Sequence, residues 1–215
     1  MSNPLRSPSV RRVRRFACST GGASMHEFTI VVLLFVTLIG MAIDFSWALY
    51  QWNAASKALY QGARLASTSD PVSSDLSALT GLEGGANPGD PFPNFTRVCS
   101  GASASCTGGT YSATAMNTLI YGRGQTTCGS LGADGYAGMC DVFARVRPQN
   151  VIVTYQQTGL GFAGRPGGPV PTITLELTGL TFNFIFLRGI LGLGPITMPP
   201  MRTTATAEDM KTAGN

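Results

Sequence analysis

The sequence predicts an α+β protein, in which a long N-terminal transmembrane helix precedes a small antiparallel β-sheet domain with long loops. Residues 28–43 form an apolar run without a charge. Residues 51–66 continue with apolar side chains at three- and four-residue steps, which is typical of a helix. From residue 142 onward, short segments alternate between polar and apolar residues or are rich in β-branched residues. Three or four antiparallel strands packed against the helix is the simplest architecture that accounts for these patterns.

The same patterns divide the chain into four parts. A basic leader comes first, followed by the transmembrane and extended helix, which ends before Pro71. A loop-rich region with cysteines and an antiparallel β region complete the chain. The four parts are residues 1–22, 23–66, 67–141 and 142–215.

The positive charge of the chain belongs to its N-terminal arm. The formal net charge is +4, yet from residue 23 onward ten Lys and Arg residues face eleven Asp and Glu residues. This balance gives no argument for nucleic-acid binding by the domain. Arginines before an apolar run orient that end toward the cytoplasm, so we expect the C-terminal domain to be periplasmic or extracellular. The arginines of the arm are Arg6, Arg11, Arg12, Arg14 and Arg15.

The apolar run is long enough to cross a membrane once. From Phe28 through Tyr50 it contains 23 residues, with Asp44 as its one interruption, and a helix of about 20 residues spans the hydrocarbon core. Aromatic residues at the far end resemble an interfacial belt. Asp44 is then either an intramembrane acid that faces a partner or an interfacial residue at the outer edge.

Ordinary signal sequences explain the N-terminus poorly. A cleaved secretory signal needs a shorter apolar core followed by a small-residue site. A lipoprotein signal needs its cysteine after the core, whereas Cys18 precedes it, and the twin arginines lie far from the core. A plain signal anchor fits everything except Glu27 and the Gly21-Gly22 pair.

A type IV pilin-like leader accounts for these residues. The peptidase cuts on the cytoplasmic side after Gly22, and Ala23 becomes the new N-terminus with a free amine. Glu27 is then the fifth residue and Phe28 the sixth. An acid at the head of a lipid-embedded helix needs a partner, which the α-amine of a neighbouring subunit could supply. The alternative for Glu27 is a carboxylate that merely lies in the headgroup layer.

The outer region predicts a helix, several strands and one unusual segment. Residues 112–122 predict a short helix that Gly122 ends, or a helix that runs into a strand. Residues 187–196 are apolar and rich in glycine, but too short and broken for a second span. We expect a buried loop there, with a tip that dips into a membrane surface or a partner groove as the alternative. Predicted strands cover 142–148, 150–155, 172–178 and 181–186, and the stretch 196–208 also favours β structure.

Four cysteines of the outer region form an even set, as expected in an oxidising compartment. We favour the sequence-local pairs Cys99–Cys106 and Cys128–Cys140 among the three pairings, because both lie in turn-rich segments. Gaps of six and eleven residues, with no histidine nearby, disfavour a zinc site.

Catalytic chemistry is not indicated. The one histidine, His26, lies at the leader junction, which excludes a Ser-His-Asp or Cys-His arrangement in the outer region. Asp134 and Asp141 could form a carboxylate pair, but surface or turn carboxylates are the simpler interpretation. We therefore expect no enzymatic activity, cofactor, metal, nucleic acid or small-molecule substrate.

These features resemble the TadE-like minor pseudopilins of tight-adherence (Flp/Tad) pilus systems. The resemblance begins at Arg14-Arg15-Phe16 and Gly21-Gly22-Ala23-Ser24-Met25-His26-Glu27-Phe28, and it continues through Ile43-Asp44-Phe45-Ser46-Trp47-Ala48-Leu49-Tyr50. Residues 58–66, 119–122, 150–155 and 203–208 also look similar to the family. Trp47 departs from it, because the family often has arginine there.

The resemblance implies cleavage by a prepilin peptidase of the aspartyl type and residence in the inner membrane and periplasm. It also implies a role in type IV pilus biogenesis, adhesion or secretion, with other Tad pseudopilins, the assembly machinery and the lipid bilayer as partners. Glu27 and Asp44 are then the candidate subunit-docking groups. The alternative function is a signal-anchored binding domain of the cell envelope that is not cut at Gly22.

Overall fold

The computed structural model of the protein describes residues 21–129, 135–192, 194–207 and 210, without the side chains of 21–23 and 191. It confirms the α+β class, with a long apolar helix followed by a small antiparallel sheet. The helices are α1 (Gly21–Ser67), α2 (Ala113–Tyr121), α3 (Met139–Val142) and α4 (Phe186–Leu191). The strands are β1 (Thr96–Ser100), β2 (Ser105–Thr107), β3 (Val151–Gln156), β4 (Thr172–Leu177), β5 (Thr181–Phe182), β6 (Ile196–Thr197) and β7 (Met201–Thr206). The arginine arm, Cys18 and Asp134 lie outside the described residues.

The described residues form two compact units. The helical unit contains residues 21–46 and 184–192, and the sheet unit contains 47–129, 135–183 and the described residues from 194 onward. Helix α1 contributes its first half to the helical unit and its second half to the sheet unit.

The first half of α1 exposes most of its large apolar side chains. Within Ser24–Ser67 the most apolar 18-residue window has a mean hydropathy of 2.5, and 11% of that window is buried. The hydroxyls of Thr29, Thr37 and Ser46 each donate to the carbonyl four residues earlier, so these three hydroxyls are satisfied within the helix. The helix is therefore long and apolar enough to span a membrane.

The sheet unit is built on five antiparallel strands in the order β2-β1-β3-β4-β7. Side chains alternate along its central strands, as the sequence pattern predicts. Val151, Val153 and Tyr155 of β3 are buried, and so are the residues opposite them in β4. The Tyr155 hydroxyl accepts the backbone N–H of Val72 at 2.9 Å, and burial raises the pKa of this phenol. One face of the sheet is thus a core face.

Close packing in this core requires a glycine on α1. A Cβ added at Gly62 would lie 2.8 Å from the Leu175 Cδ2 atom and closer still to the Met139 sulfur. The second half of α1 therefore packs with its backbone nearly in contact with β4 and α3. The α1 side chains in the core are Ala55, Ala58, Leu59, Leu65 and Ala66.

Both disulfides join residues close in sequence. Cys99–Cys106 links β1 to β2 at directly paired positions, and Cys128–Cys140 links the loop after α2 to α3. The presence of disulfides is thereby confirmed, and the pairs are the sequence-local ones.

Several predicted elements need correction. Residues 142–148 are not a strand, because α3 ends at Val142 and turns follow it. The sheet has five strands, since β1 and β2 arise in the region expected to be loops. Only the first two residues of 181–186 are a strand, paired with β6. The short helix before Gly122 is confirmed as α2, and Gly122 ends it with a φ of +89°.

The segment 187–196 also differs from the expected buried loop. Its first part belongs to helix α4, and β6 occupies its end. Ile190 and Ile196 are 54% and 52% exposed. The alternating pattern over residues 181–186 predicted a longer strand. That prediction was wrong because the residues after β5 lead into α4.

Replacing Gly62 with leucine is expected to destabilise the sheet unit by about 1–3 kcal/mol through overpacking. Leucine gains roughly 0.8 kcal/mol of helix propensity over glycine, which offsets only part of that cost. Thermal unfolding of the detergent-solubilised protein, followed by circular dichroism, measures the difference. Lys57→Leu, at an exposed position of the same helix, is the matched control, and equal unfolding temperatures for the two variants would contradict the close packing.

Candidate functional site

The predicted leader junction lies at the first described residues of α1. Gly21 begins the helix, so the backbone of Gly22 and Ala23 is helical. Glu27 is exposed, and Phe28 is 69% exposed. Among the residues that the structure describes, Glu27 has no ion-pair partner. Within the described part of the chain, the side chains of Glu27 and Phe28 are therefore uncovered.

Asp44 has a different environment, since it is fully buried within its own chain. Its Oδ1 accepts the backbone N–H of Ile185 at 2.8 Å. Its Oδ2 accepts the N–H groups of Phe186 at 3.0 Å and of Leu187 at 2.7 Å. A single carboxylate thus binds three consecutive backbone donors at the start of α4. This contact gives Asp44 a structural role, and subunit docking through Asp44 stays a prediction.

The local sequence explains why α4 needs this carboxylate. The first N–H groups of a helix have no partner within it, and a Ser, Thr, Asp or Asn before the helix normally supplies one. Here Ile185 occupies that position and makes no side-chain cap. Gly192 ends α4 with a φ of +64°, and its N–H donates to the Arg188 carbonyl at 3.2 Å. Asp44, which is distant in sequence, therefore caps α4 in place of a neighbouring polar residue.

A glycine allows α4 to approach α1. A Cβ added at Gly40 would lie 3.1 Å from the Phe186 ring, which is tight for carbon atoms. Phe186, Leu187 and Ile190 line a small apolar pocket together with Thr37 and Met41. Gly40 and Asp44 are one helical turn apart, so they contact the same end of α4.

A second buried polar group lies in the sheet unit. Gln51 is 3% exposed, and its Oε1 accepts from the Arg145 Nη1 atom at 2.8 Å and from the Asn183 N–H at 3.2 Å. Its Nε2 donates to the Asn183 carbonyl at 3.2 Å. The Arg145 Nη2 atom also donates to the Thr181 hydroxyl at 2.9 Å. This cluster fixes β5 and the residue that follows it to α1.

Carboxylates of the sheet unit also have structural partners. The Asp75 carboxylate is partly buried, which opposes its ionised form, but hydrogen bonds from Ser73 and Arg97 outweigh burial and hold its pKa below the usual range. The backbone N–H and hydroxyl of Thr80 lower the pKa of Glu83 to about 2. Asp141 accepts the N–H groups of Gly129 and Gly138. In the described part of the chain, no cluster of three or more His, Cys, Asp or Glu residues could hold a metal ion.

Several site residues could not be found from the sequence. Gly40, Arg145 and the α4 donors carry no motif, and their partners are distant along the chain. Gln51 and Asn183, for instance, are 132 residues apart. The sequence carried one usable signal. Asp44 is an acid within an apolar run, and the distant apolar segment that forms α4 has no capping residue of its own.

The fold and the site define a protein with a single apolar N-terminal helix that leads into a small disulfide-containing sheet. The family model of TadE-like proteins matches residues 22–64. The resemblance to this family is therefore confirmed over residues 22–64, which include Glu27, the apolar run and Asp44. No curated protein matches the chain, and no solved structure matches it.

Replacing Asp44 with alanine is expected to release the first turn of α4. A lost cap costs about 1–2 kcal/mol, a factor of roughly 5–30 in an opening equilibrium. The amides of Ile185, Phe186 and Leu187 should then exchange with deuterium faster by about that factor, as measured by mass spectrometry of the full chain in detergent. Asp44→Asn keeps an acceptor oxygen and should have a smaller effect.

The amides of β3 are the internal reference for this experiment, because they should exchange at the same rate in all three proteins. Unchanged exchange at residues 185–187 in Asp44→Ala would contradict the capping role.

Proposed function

We propose that this chain is a minor pseudopilin of a Tad-type pilus, without enzymatic activity, that acts in pilus biogenesis, adhesion or secretion. The observation that carries the proposal is the TadE-like match, which starts at Gly22 and covers the apolar helix with its exposed Glu27. A polar group on the outside of an apolar helix needs a partner in a membrane, and assembly with other Tad pseudopilins and the pilus machinery provides one.

In this proposal α1 crosses the inner membrane once. Its first half exposes apolar side chains, and the preceding arginines keep the N-terminus in the cytoplasm. The sheet unit then lies in the periplasm or outside the cell. Disulfides suit that oxidising side of the membrane.

A prepilin peptidase would hydrolyse the bond between Gly22 and Ala23. This peptide bond lies at the first described residues of α1, ahead of the apolar run, so a local opening there would leave that run in place. Two consecutive glycines lower the cost of opening, since each disfavours a helix by about 1 kcal/mol relative to alanine. The geometry thus supports access by a peptidase without disturbing the apolar run.

Cleavage would create the partner that Glu27 needs. The new Ala23 α-amine carries a positive charge near neutral pH. Its own helix places it four residues from Glu27. The amine of a neighbouring subunit, at a similar depth in the membrane, is the complementary group. A charge pair in low dielectric is strong once both members are desolvated together.

Co-expression with an active prepilin peptidase is expected to remove residues 1–22, as intact-mass analysis of the purified membrane protein would measure. Gly22→Leu should abolish the cut, because a side chain at this position hinders close approach of the backbone to the peptidase. Gly21→Ala and a catalytically inactive peptidase are the matched controls. An intact N-terminus on the unmodified chain, despite an active peptidase, would favour the uncleaved signal-anchored binding domain and refute the pseudopilin.

Removal of the Glu27 charge is expected to leave the cut intact but to impair assembly. Glu27→Gln keeps the shape of the side chain, so Glu27→Gln and Glu27→Ala should lose co-purification with partner pseudopilins to a similar extent if the charge is decisive. Piliated cells counted by electron microscopy give the second measurement. Normal piliation of both variants would disprove the docking role.

A further inference from the structure

The segment of residues 184–192, named here the capped segment, carries an apolar surface that is exposed among the residues the structure describes. Ile185, Phe186 and Ile190 are 61%, 36% and 54% exposed. Arg188 is its one charged residue. Exposed large apolar side chains that cluster in this way indicate a binding or membrane role.

The capped segment lies beside the apolar run of α1. It belongs to the same compact unit as residues 21–46. Phe186 packs on Gly40, and the segment shares a pocket with Thr37 and Met41. These three α1 residues lie within the uncharged run 28–43. Whatever medium surrounds that part of α1 therefore also surrounds the capped segment.

Backbone N–H groups at both ends of the capped segment have hydrogen-bond partners within the protein, as an environment without water requires. Non-helical backbone is costly in lipid because its N–H and C=O groups lack partners. Here the Asp44 carboxylate accepts the N–H groups of Ile185, Phe186 and Leu187. At the other end, the Gly192 N–H bonds back to α4. In water these donors would need no such partner, since the solvent would serve.

We propose that the capped segment inserts into the acyl chains of the outer leaflet beside α1, and that Asp44 is the positioning residue that makes insertion possible. The occupant of this surface is lipid, because the surface continues that of a helix with the length and hydropathy of a membrane span. Arg188 has a side chain long enough to bring its charge to the headgroups. The inference rests on the membrane span of the proposed function and is independent of pilus assembly.

Quenching of a single tryptophan tests the insertion. The full-length chain with Trp47→Phe and Trp52→Phe receives one new tryptophan, by Ile190→Trp in the capped segment. It is reconstituted into phosphatidylcholine–phosphatidylglycerol vesicles with or without bromine on the acyl chains. We expect Trp emission from position 190 to lose most of its intensity in brominated vesicles and to resist aqueous acrylamide.

Two reference positions locate the result. Leu33→Trp, in the apolar run, should be quenched by bromine like position 190. Leu160→Trp, on an exposed loop of the sheet unit, should be quenched by acrylamide alone. Bromine quenching at 33 without quenching at 190 would overturn the insertion while leaving the membrane span intact. Absence of bromine quenching at both positions would overturn the span and the insertion together.

A protein partner would give a different result. Position 190 would then resist both quenchers when the assembly partners are present and would be open to acrylamide in vesicles of the protein alone. That outcome also overturns the lipid assignment.

The role of Asp44 has its own comparison in the same assay. Asp44→Ala should shift position 190 from bromine quenching toward acrylamide quenching, whereas Asp44→Asn should preserve part of the bromine quenching through its remaining acceptor oxygen. Position 33 should be unchanged in both variants. Equal lipid quenching at position 190 in Asp44→Ala and in the parent protein would overturn the positioning role.

Discussion

The hydrogen bonds between the Asp44 carboxylate and the start of α4 are the interaction on which the helical unit depends. An ionised carboxylate in apolar surroundings costs several kcal/mol unless donors are held against it. Conversely, α4 begins at Phe186, and the residue before it, Ile185, has no side-chain acceptor to cap the helix. Each group removes the penalty of the other, and Gly40 provides the space in which they meet. Neither the acid nor the short helix would be stable in an apolar environment alone.

In the sheet unit, a small residue and an amide side chain set the distances between α1 and the segments packed against it. Gly62 lets α1 approach Leu175 on β4, and Gln51 binds the chain at Asn183 through both of its amide atoms. A glutamine can donate and accept at once, so it satisfies an N–H and a carbonyl of the same residue without introducing charge. The two halves of α1 thus differ. The first half exposes most of its apolar side chains, whereas the second half packs closely in the core and forms hydrogen bonds through the Gln51 amide.

The elements that could be predicted from the sequence are those whose pattern lies in neighbouring residues. The long helix, α2 with Gly122 and the alternating strands β3 and β4 each follow from neighbouring residues. Strand β1 was missed because its residues are mostly polar. Residues 142–148 were assigned to a strand because their alternating pattern gives no sign of α3, the helix that Asp141 caps, or of the turns that follow it. Leader processing and docking at Glu27 stay predictions. The capping of α4 depends on residues 141 to 143 positions apart, which no local pattern encodes.

The separation between Asp44 and its donors also sets an order of events during biosynthesis. A ribosome makes the acid well over a hundred residues before it makes Ile185, Phe186 and Leu187. On the proposed membrane route, the newly inserted helix must keep this carboxylate hydrated or protonated until the rest of the chain has been exported. On that route, completion of the helical unit is therefore a late step, because it waits for the downstream chain that carries the three N–H donors.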